Sequence, residues 1–352
     1  MSYQELDAIA LGELLREHGE IAVIDLRPSA AFGNGTPLHG TNVPLLELER
    51  RIDQLVPHQH TPVALVDGDG SLIGHAAEIL TARGYADVVG LRSGMDFNDR
   101  LPVVPIRVAA PRIISGEVER SFRVPVTTPH QLAALRAQAA SVTVLDTRSV
   151  GEYLSGHIPG SYPAPGGEIL PLFHALIDVP DTHVVLTCAG RSRAVLAAQT
   201  LIDAGVPNPV STLDFGTLGW RDAGFELGRG PEETLRRPDA ADLEFARVAL
   251  APLGARFPVH TAHDLERWQA DVSRTTYALD VRLPEAFERS HLPGSVNAPA
   301  GQLGIWIGKW VAVQGARLAL IDDPLRIRAL TVARWFERLG WDIAIVEHDF
   351  GA

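Results

Sequence analysis

The chain has 352 residues, of which 46% are hydrophobic, and it carries a formal net charge of −12 at pH 7. This length exceeds that of a typical single domain and predicts two or three of them, and the composition excludes a disordered chain. The acidic balance argues against nucleic acid and anionic membranes as partners, because both attract basic surfaces. An anionic substrate would have to be attracted by a local cluster of arginines.

Residues 1–20 lack the basic stretch followed by an apolar run that marks a secretory signal. They predict instead an amphipathic first helix that includes Leu11–Leu15. No apolar run in the chain approaches the roughly 20 residues that a membrane span needs. We therefore expect a cytoplasmic protein that makes no contact with a membrane.

An apolar run that ends in an aspartate and an arginine occurs three times along the chain. The three copies are Ala22–Arg27, Ser141–Arg148 and Tyr277–Arg282. A second apolar run follows each of them, and the same interval of 42 positions separates the two members of each of these pairs: Asp25 and Asp67, Asp146 and Cys188, Asp280 and Asp322. Three unrelated segments would rarely share such an interval, which indicates duplicated domains.

Within each copy, short strand-like runs alternate with helical segments. This alternation predicts an α/β fold of tandem domains, each with a mostly parallel sheet and helices on both faces. We place the domains at 1–105, 121–228 and 256–352. A linker is predicted at 228–239, and a helix at 240–255 is predicted to open the third domain.

The third copy ends early compared with the second. The second copy closes with Gly216–Trp220, which predicts a turn followed by a short helix. The third copy stops at Ala352, where the equivalent piece would begin. The sequence therefore predicts a truncated third domain.

Cys188, the one cysteine of the chain, lies where a buried strand is predicted to end and a helix, Ala194–Ala204, is predicted to begin. Open α/β sheets bind their ligands at such loops. A thiol at a helix N-terminus faces free amide N–H groups, and Arg191 and Arg193 add positive charge. We therefore expect the pKa of Cys188 to lie below its usual value of about 8.5. Gly190 would let the backbone curl so that successive amides point at one anion.

The alternative for a lone cysteine is a small buried hydrophobic residue. Its neighbours here are two arginines, a glycine and a serine, and this composition does not fit an apolar shell. A single cysteine also excludes an intramolecular disulfide, a two-cysteine redox cycle and a zinc site built from cysteines. We expect a reactive thiol, no metal and no other cofactor.

Three motifs of the second copy resemble the signatures of the rhodanese family. Asp146–Arg148, Glu152–Tyr153 and Gly156–Ser161 are similar to its first signature, Cys188–Arg193 to its active-site loop, and Gly216–Gly224 to its closing signature. The resemblance extends weakly over the other two copies. It is greatest to bacterial sulfurtransferases built from several tandem rhodanese units. The loop differs from the commonest rhodanese loop, because Gly190 is third where that loop has its glycine fourth.

This resemblance implies a sulfurtransferase with a two-step mechanism. Cys188 would take sulfane sulfur from a small anionic donor such as thiosulfate and form a persulfide. The persulfide would pass its sulfur to cyanide or to a thiol, including a protein thiol. Arg191 and Arg193 would bind the donor and stabilise the departing sulfite.

The resemblance also assigns roles to residues around the nucleophile. The backbone amides of Ala189, Gly190, Arg191, Ser192 and Arg193 would hold the persulfide. Arg148 would reach the donor, or alternatively form an ion pair with Glu152.

Two further residues of the first signature are given supporting roles. Asp146 would anchor the loop through hydrogen bonds. His157 would fix the turn before Pro159, since the mechanism requires no proton shuttle.

The first and third copies carry Asp67 and Asp322 at the position of Cys188. A carboxylate cannot carry sulfur, so we interpret both copies as inactive repeats. They would pack against the second copy, bind a partner or shape the entrance to its site. The sequence Asp67–Gly70 superficially resembles a calcium loop but lacks the spaced ligands of one, and Asp322–Asp323 is likewise not interpreted as a metal site.

Two other functions remain open. A phosphatase or arsenate reductase also uses a cysteine, an arginine and a ring of amides, but such enzymes place five residues between the cysteine and the arginine. Here four residues, 189–192, lie between Cys188 and Arg193. A rhodanese scaffold that binds a protein without catalysis is the second alternative, and the presence of Cys188 argues against it.

Overall fold

A computed structural model describes residues 3–17, 19–32, 36–37, 40–91, 103–104, 121 and 123–351. Contacts divide the chain into two compact units. The first consists of Met1–Ala110, His263–Ala278 and Trp306–Ala319, and the second of Pro111–Ala262, Leu279–Ile305 and Leu320–Ala352. The division at 1–105, 121–228 and 256–352 therefore remains a proposal based on the sequence.

Strands and helices alternate along the described chain. The strands are β1 (Gln4–Leu6), β2 (Ile21–Asp25), β3 (Thr36–Pro37), β4 (Gly40–Asn42), β5 (Val63–Val66), β6 (Val88–Leu91), β7 (Val103–Val104), β8 (Val126–Thr127), β9 (Val142–Asp146), β10 (Ser161–Pro163), β11 (His183–Thr187), β12 (Val210–Leu213), β13 (Val259–His260), β14 (Thr276–Asp280), β15 (Val296–Asn297), β16 (Val313–Gln314), β17 (Arg317–Asp322) and β18 (Asp342–Glu347).

The helices are short and lie between these strands. They are α1 (Ala8–Glu17), α2 (Ser29–Phe32), α3 (Leu45–Leu55), α4 (Ile73–Ala82), α5 (Pro129–Ala137), α6 (Val150–Ser155), α7 (Phe173–Leu176), α8 (Ser192–Asp203), α9 (Gly216–Asp222), α10 (Ala240–Gly254), α11 (Ala262–Ala270), α12 (Pro284–Arg289), α13 (Ala300–Trp306) and α14 (Ile327–Arg338), with 3₁₀ turns at Gly166–Glu168 and Ile307–Lys309.

The sheet of the first unit has the strand order β1-β6-β5-β2-β16, and β4 also pairs with β2. Its strands are parallel except for β16, which runs antiparallel to β2. Strands β2 and β5 are buried along their whole length and are apolar except for Asp25 at the end of β2, as a parallel sheet covered on both faces requires. Strands β3 and β7 form a separate antiparallel pair.

The sheet that carries Cys188 lies in the second unit and has the order β10-β9-β11-β12-β8, with every pair parallel. Thr187 pairs with Asp146, so the carboxyl ends of β11 and β9 lie side by side. One side of the sheet is covered by a cluster that includes Leu132, Val185 and Trp220. This register brings the loops after Asp146 and Thr187 to one edge.

A third sheet has the order β13-β18-β17-β14-β15. Counted from the short N-terminal strand of each sheet, this order repeats that of β8-β12-β11-β9-β10 and of β1-β6-β5-β2-β4. The predicted α/β class, with mostly parallel sheets and flanking helices, is confirmed. The shared order is what a duplicated sequence pattern would produce.

Several local predictions agree with the structure. Helix α8 covers nearly all of the predicted helix Ala194–Ala204 and begins two residues earlier. Helix α10 matches the prediction for 240–255 and starts at a capping box, in which the Asp239 carboxylate accepts from two backbone amides. Among the described residues, no helix is long and apolar enough to cross a membrane.

Candidate active site

Cys188 lies in the loop between β11 and α8, at the carboxyl edge of its sheet. We refer to Cys188–Arg191 as the Cys188 loop. The neighbouring strand end holds its base, because the backbone N–H and the side-chain hydroxyl of Thr147 both donate to the carbonyl oxygen of Thr187 at 2.9 Å. The start of the loop is thus fixed from one side.

The start of α9 holds the other side of the loop. The backbone N–H groups of Thr217 and Leu218 donate to the carbonyl oxygens of Cys188 at 2.8 Å and Ala189 at 3.2 Å. Gly216 makes this contact possible: its φ is +54°, and a Cβ there would lie 2.0 Å from the Cys188 carbonyl oxygen. The sequence marked Gly216 as part of a closing signature, but it did not reveal this role.

The thiol of Cys188 is buried, and two backbone N–H groups and the charge of Arg193 act on it. The residue is only 2% exposed. Burial raises the pKa of the thiol, although the charge of Arg193 and the backbone N–H groups of Ala194 and Gly190 act in the opposite direction. The predicted lowering of this pKa is wrong for the resting enzyme, because desolvation outweighs the local positive charge.

The predicted ring of amides agrees with the structure only in part. The backbone N–H of Gly190, within the predicted set Ala189–Arg193, favours the thiolate, and so does that of Ala194, one residue beyond the set. Ala189 contributes its carbonyl group, which accepts from Leu218. Ser192 is the first residue of α8. Holding a persulfide with the amides of the set remains a prediction.

Arg193 is buried and binds a carboxylate. The residue is 6% exposed, and its Nη1 and Nη2 atoms donate to the two oxygens of Glu152, each at 2.7 Å. The predicted contact of Arg193 with a donor anion is therefore replaced by this bidentate pair. Arg193 instead acts on Cys188 through its charge, which favours the thiolate.

Glu152 is the centre of a polar network. It also accepts from the Ser149 hydroxyl at 2.9 Å and from the amide of Gln302 at 3.0 Å. Burial alone would raise the pKa of Glu152, but the hydrogen bonds and charge of Arg193, assisted by Gln302 and Ser149, lower it to about 2. Glu152 is thus an anion at neutral pH. The sequence placed Glu152 in a motif and offered it as an alternative partner of Arg148, but its pairing with Arg193 was missed.

Arg191 is the more accessible of the two loop arginines. Its side chain is 35% exposed, and its Nη1 atom lies 3.9 Å from a carboxylate oxygen of Asp214. Because that separation is long and open to water, the pair is weak. The prediction that Arg191 binds the donor is compatible with this exposure and remains a prediction.

Arg148 is held by Asp146, two residues before it. Its Nε and Nη2 atoms donate to the Asp146 carboxylate at 2.9 and 2.6 Å, and Nη2 also donates to the carbonyl oxygen of Gly156 at 2.5 Å. The alternative ion pair of Arg148 with Glu152 is wrong, because Glu152 pairs with Arg193. Contact of Arg148 with a sulfur donor remains a prediction, but the Nε and Nη2 atoms of its guanidinium group are already bound within the protein.

His157 is fully buried and both of its ring nitrogens are engaged. Nδ1 lies 3.0 Å from the carbonyl oxygen of Tyr153, and Nε2 lies 2.8 Å from the carboxylate of Glu232. The same carboxylate accepts from the backbone N–H of Gly160 at 3.0 Å. Glu232 lies in the predicted linker 228–239, so this segment stabilises the turn around Pro159 through its contacts with His157 and Gly160. The geometry agrees with a structural role for His157.

The aspartates at the positions equivalent to Cys188 fill their own loops. The Asp67 carboxylate accepts from the backbone N–H groups of Gly68 and Leu72 at 2.6 and 2.9 Å. Asp322 accepts from those of Arg328 and Ala329, each at 2.9 Å. In both loops a carboxylate thus occupies amides that could otherwise bind an anion. Over the residues described, no group of three or more acidic, histidine or cysteine side chains could hold a metal ion.

The strand order, the strand–loop–helix position of the cysteine and the amides around it define an α/β domain of the rhodanese type. A family model described as "Rhodanese-like domain" matches residues 128–223. The HTH-type transcriptional regulator Rv0324 from Mycobacterium tuberculosis (strain ATCC 25618 / H37Rv) is 33% identical over 95 residues, which cover 27% of this chain and 41% of that relative. The chain therefore matches less than half of the length of this relative.

A thiosulfate sulfurtransferase from Pseudomonas aeruginosa is similar along nearly the whole chain. The two share 33% sequence identity with a TM-score of 0.88, and the match covers 99% of this chain and 68% of the other. The chain belongs to the rhodanese family of sulfurtransferases. About a third of the Pseudomonas enzyme has no counterpart in it.

Proposed function

We propose that the protein is a sulfurtransferase that carries sulfane sulfur on Cys188, from thiosulfate or a similar anion to cyanide or a thiol. One observation carries the proposal. The chain's one cysteine, free and enclosed by the loop amides, has the buried charge of Arg193 next to it. A nucleophile that cannot form a disulfide within its own chain suits a persulfide intermediate.

In the first step Cys188 loses its proton to solvent, and the thiolate attacks the outer sulfur of thiosulfate. A bond forms between Sγ and that sulfur, and the bond between the two sulfurs of thiosulfate breaks. The electron pair of this bond leaves with sulfite, and the enzyme keeps a persulfide anion. Arg191 neutralises charge on the departing sulfite, while the loop amides stabilise the terminal sulfur.

In the second step an acceptor attacks the terminal sulfur and releases the Cys188 thiolate. With cyanide the product is thiocyanate, and with a thiol it is a new persulfide. A small site closed by amides favours a single transferred atom over a tetrahedral phosphate. The bidentate Glu152 pair also removes Arg193 from direct contact with an oxyanion. Both features favour sulfur transfer over the phosphatase alternative.

We also propose that the repeats around Asp67 and Asp322 carry no sulfur. Their carboxylates accept from the loop amides, which are then not available to bind an anionic donor or a persulfide. A sole cysteine that works as a free thiol suits a reducing compartment, and we propose the cytoplasm.

Intact-mass measurement after mixing with thiosulfate tests the proposal. The wild type should gain one sulfur atom and lose it on addition of cyanide, with release of thiocyanate. Cys188→Ser should gain none, whereas Asp67→Asn, a change at the equivalent position of the first repeat, should load as the wild type does. Hydrolysis of a phosphate ester without a sulfur adduct would indicate the phosphatase, and the absence of both reactions a non-catalytic scaffold.

A further inference from the structure

Gln302 connects helix α13 to the network beside Cys188. Its side-chain amide donates to Oε2 of Glu152 at 3.0 Å, although 150 positions separate the two residues. The same carboxylate oxygen accepts from Nη1 of Arg193 at 2.7 Å. A residue outside the predicted catalytic domain 121–228 therefore contacts the ion pair that sets the charge near the nucleophile.

The position of Gln302 is fixed by close packing of two backbones. A Cβ on Gly301 would lie 2.9 Å from the backbone nitrogen of Gly166, and a Cβ on Gly167 would lie 2.6 Å from the Cβ of Ala300. Only glycine allows the start of α13 to approach the 3₁₀ turn this closely. Gln302 follows directly, so its reach to Glu152 is determined by the fold.

A second set of bonds holds the same turn. Nε and Nη2 of Arg328 donate to the two carboxylate oxygens of Glu168 at 2.5 and 3.0 Å. Arg328 also pairs with Asp323 at 2.9 Å, and its backbone N–H donates to Asp322. The segment that includes the third repeat's degenerate loop thus supports the surface on which α13 packs.

Glu152 and the Cys188 thiolate compete for the charge of Arg193. A second donor to Oε2 of Glu152 compensates part of the carboxylate's negative charge and keeps its oxygens oriented, which leaves more of the guanidinium's field for the sulfur. We propose that Gln302 is a positioning residue for the sulfur transfer proposed above: it holds Glu152 so that Arg193 favours the thiolate of Cys188. The third repeat thereby contributes to the active site without touching sulfur.

The rate of alkylation by iodoacetamide tests this inference, because the chain has a single cysteine and alkylation reports its thiolate directly. Gln302→Met keeps the volume of the side chain and removes the hydrogen bond. We expect the alkylation of this variant at pH 7 to be about threefold slower than that of the wild type. The loss of one hydrogen bond to a charged group would have this effect if part of its energy acts on the Cys188 thiolate through Glu152 and Arg193. The pH profile should shift to higher pH, which a merely structural role would not cause.

Two comparisons complete the experiment. Gln138→Met, at an exposed glutamine at the end of α5, should leave the rate unchanged. In a Glu152→Gln background, Gln302→Met should have no further effect, since the two residues act in series. Equal slowing in both backgrounds, or no slowing in the wild-type background, would overturn the inference.

Alkylation does not depend on sulfur transfer. If the wild type takes up no sulfur, the proposed function is wrong. The alkylation rates would still decide whether Gln302 acts on Cys188.

Discussion

The backbone N–H of Thr217 donates to the carbonyl oxygen of Cys188 at 2.8 Å, and the φ of Gly216 is +54°. This hydrogen bond directs the carbonyl group of Cys188 towards α9 and away from the loop interior. The backbone N–H groups of the loop can therefore point towards the sulfur. A Cβ on Gly216 would meet this carbonyl at 2.0 Å and that of Gly190 at 2.7 Å. Both neighbours are backbone atoms of the Cys188 loop, which cannot move aside without moving Cys188.

We expect Gly216→Ala to lower the rate of sulfur loading by at least about tenfold, since a displacement of the loop misaligns the attacking sulfur. Gly224→Ala is the matched control, because Gly224 also has a positive φ, +87°, but its Cβ would meet nothing within 4 Å. That variant should lose about 1 kcal/mol of stability from backbone strain and keep its activity. Urea unfolding measures the stability of each variant, and intact mass measures its rate of sulfur loading. Equal activity of the two variants would show that the contact is irrelevant.

The reactivity of Cys188 should depend on pH as expected of a buried thiol. Because burial raises its pKa, the thiolate fraction still increases with pH above the usual value of about 8.5. The rate of iodoacetamide alkylation should therefore continue to rise at pH 9, and in urea it should follow an ordinary thiol. A rate that levels off below pH 7 would show that Arg193 and the amides outweigh burial.

The position of the candidate site in the fold was predictable from local sequence, and its electrostatics were not. An apolar run before Cys188 and an alanine-rich segment after it indicate a strand, a loop and a helix without further information. The packing of the loop depends on Gly216, 28 positions away, where a Cβ would collide with the carbonyl oxygens of Cys188 and Gly190. The sequence therefore predicted the positive charges correctly and missed the desolvation that opposes them.

The partners of side chains were predictable only where both residues lie close together in the sequence. Arg148 was predicted to contact a sulfur donor or Glu152, whereas in the structure it binds Asp146 and Glu152 pairs with Arg193. Gln302 could not be found at all, because a single polar residue on a distant helix has no local pattern. Contacts of this kind are decided by how the sheets and helices pack.

The Glu152–Arg193 pair should make the protein less stable in acid. The pKa of Glu152 is lowered to about 2 in the folded protein from an ordinary value of 4.5. The folded state therefore binds fewer protons than the unfolded state between these values, and the stabilisation present above pH 4.5 is lost as the pH falls towards 2. The difference in unfolding free energy between the wild type and Glu152→Gln should be largest near pH 7 and shrink below pH 4.5.

A second glutamate–arginine pair provides the control for this measurement. Glu244 binds Arg247 through two hydrogen bonds of 2.7 and 2.6 Å, but both side chains are exposed on α10. Because exposed pairs contribute little, Glu244→Gln should unfold like the wild type at every pH. A pH-independent difference for Glu152→Gln would mean that the residue stabilises the fold by packing alone.

Asp322 should be important for stability and not for sulfur loading. Its carboxylate is buried and accepts from the backbone N–H groups of Asp323, Arg328 and Ala329. Asp322→Ala leaves these donors without a partner, and we expect a loss of about 2–4 kcal/mol in urea unfolding. Asp323→Ala, at a partly exposed neighbour that also pairs with Arg328, should cost less than about 1 kcal/mol. Sulfur loading per folded molecule should equal that of the wild type in both variants. If Asp322→Ala stays folded but no longer loads, the loop of the third repeat takes part in the reaction, and its interpretation as an inactive copy is wrong.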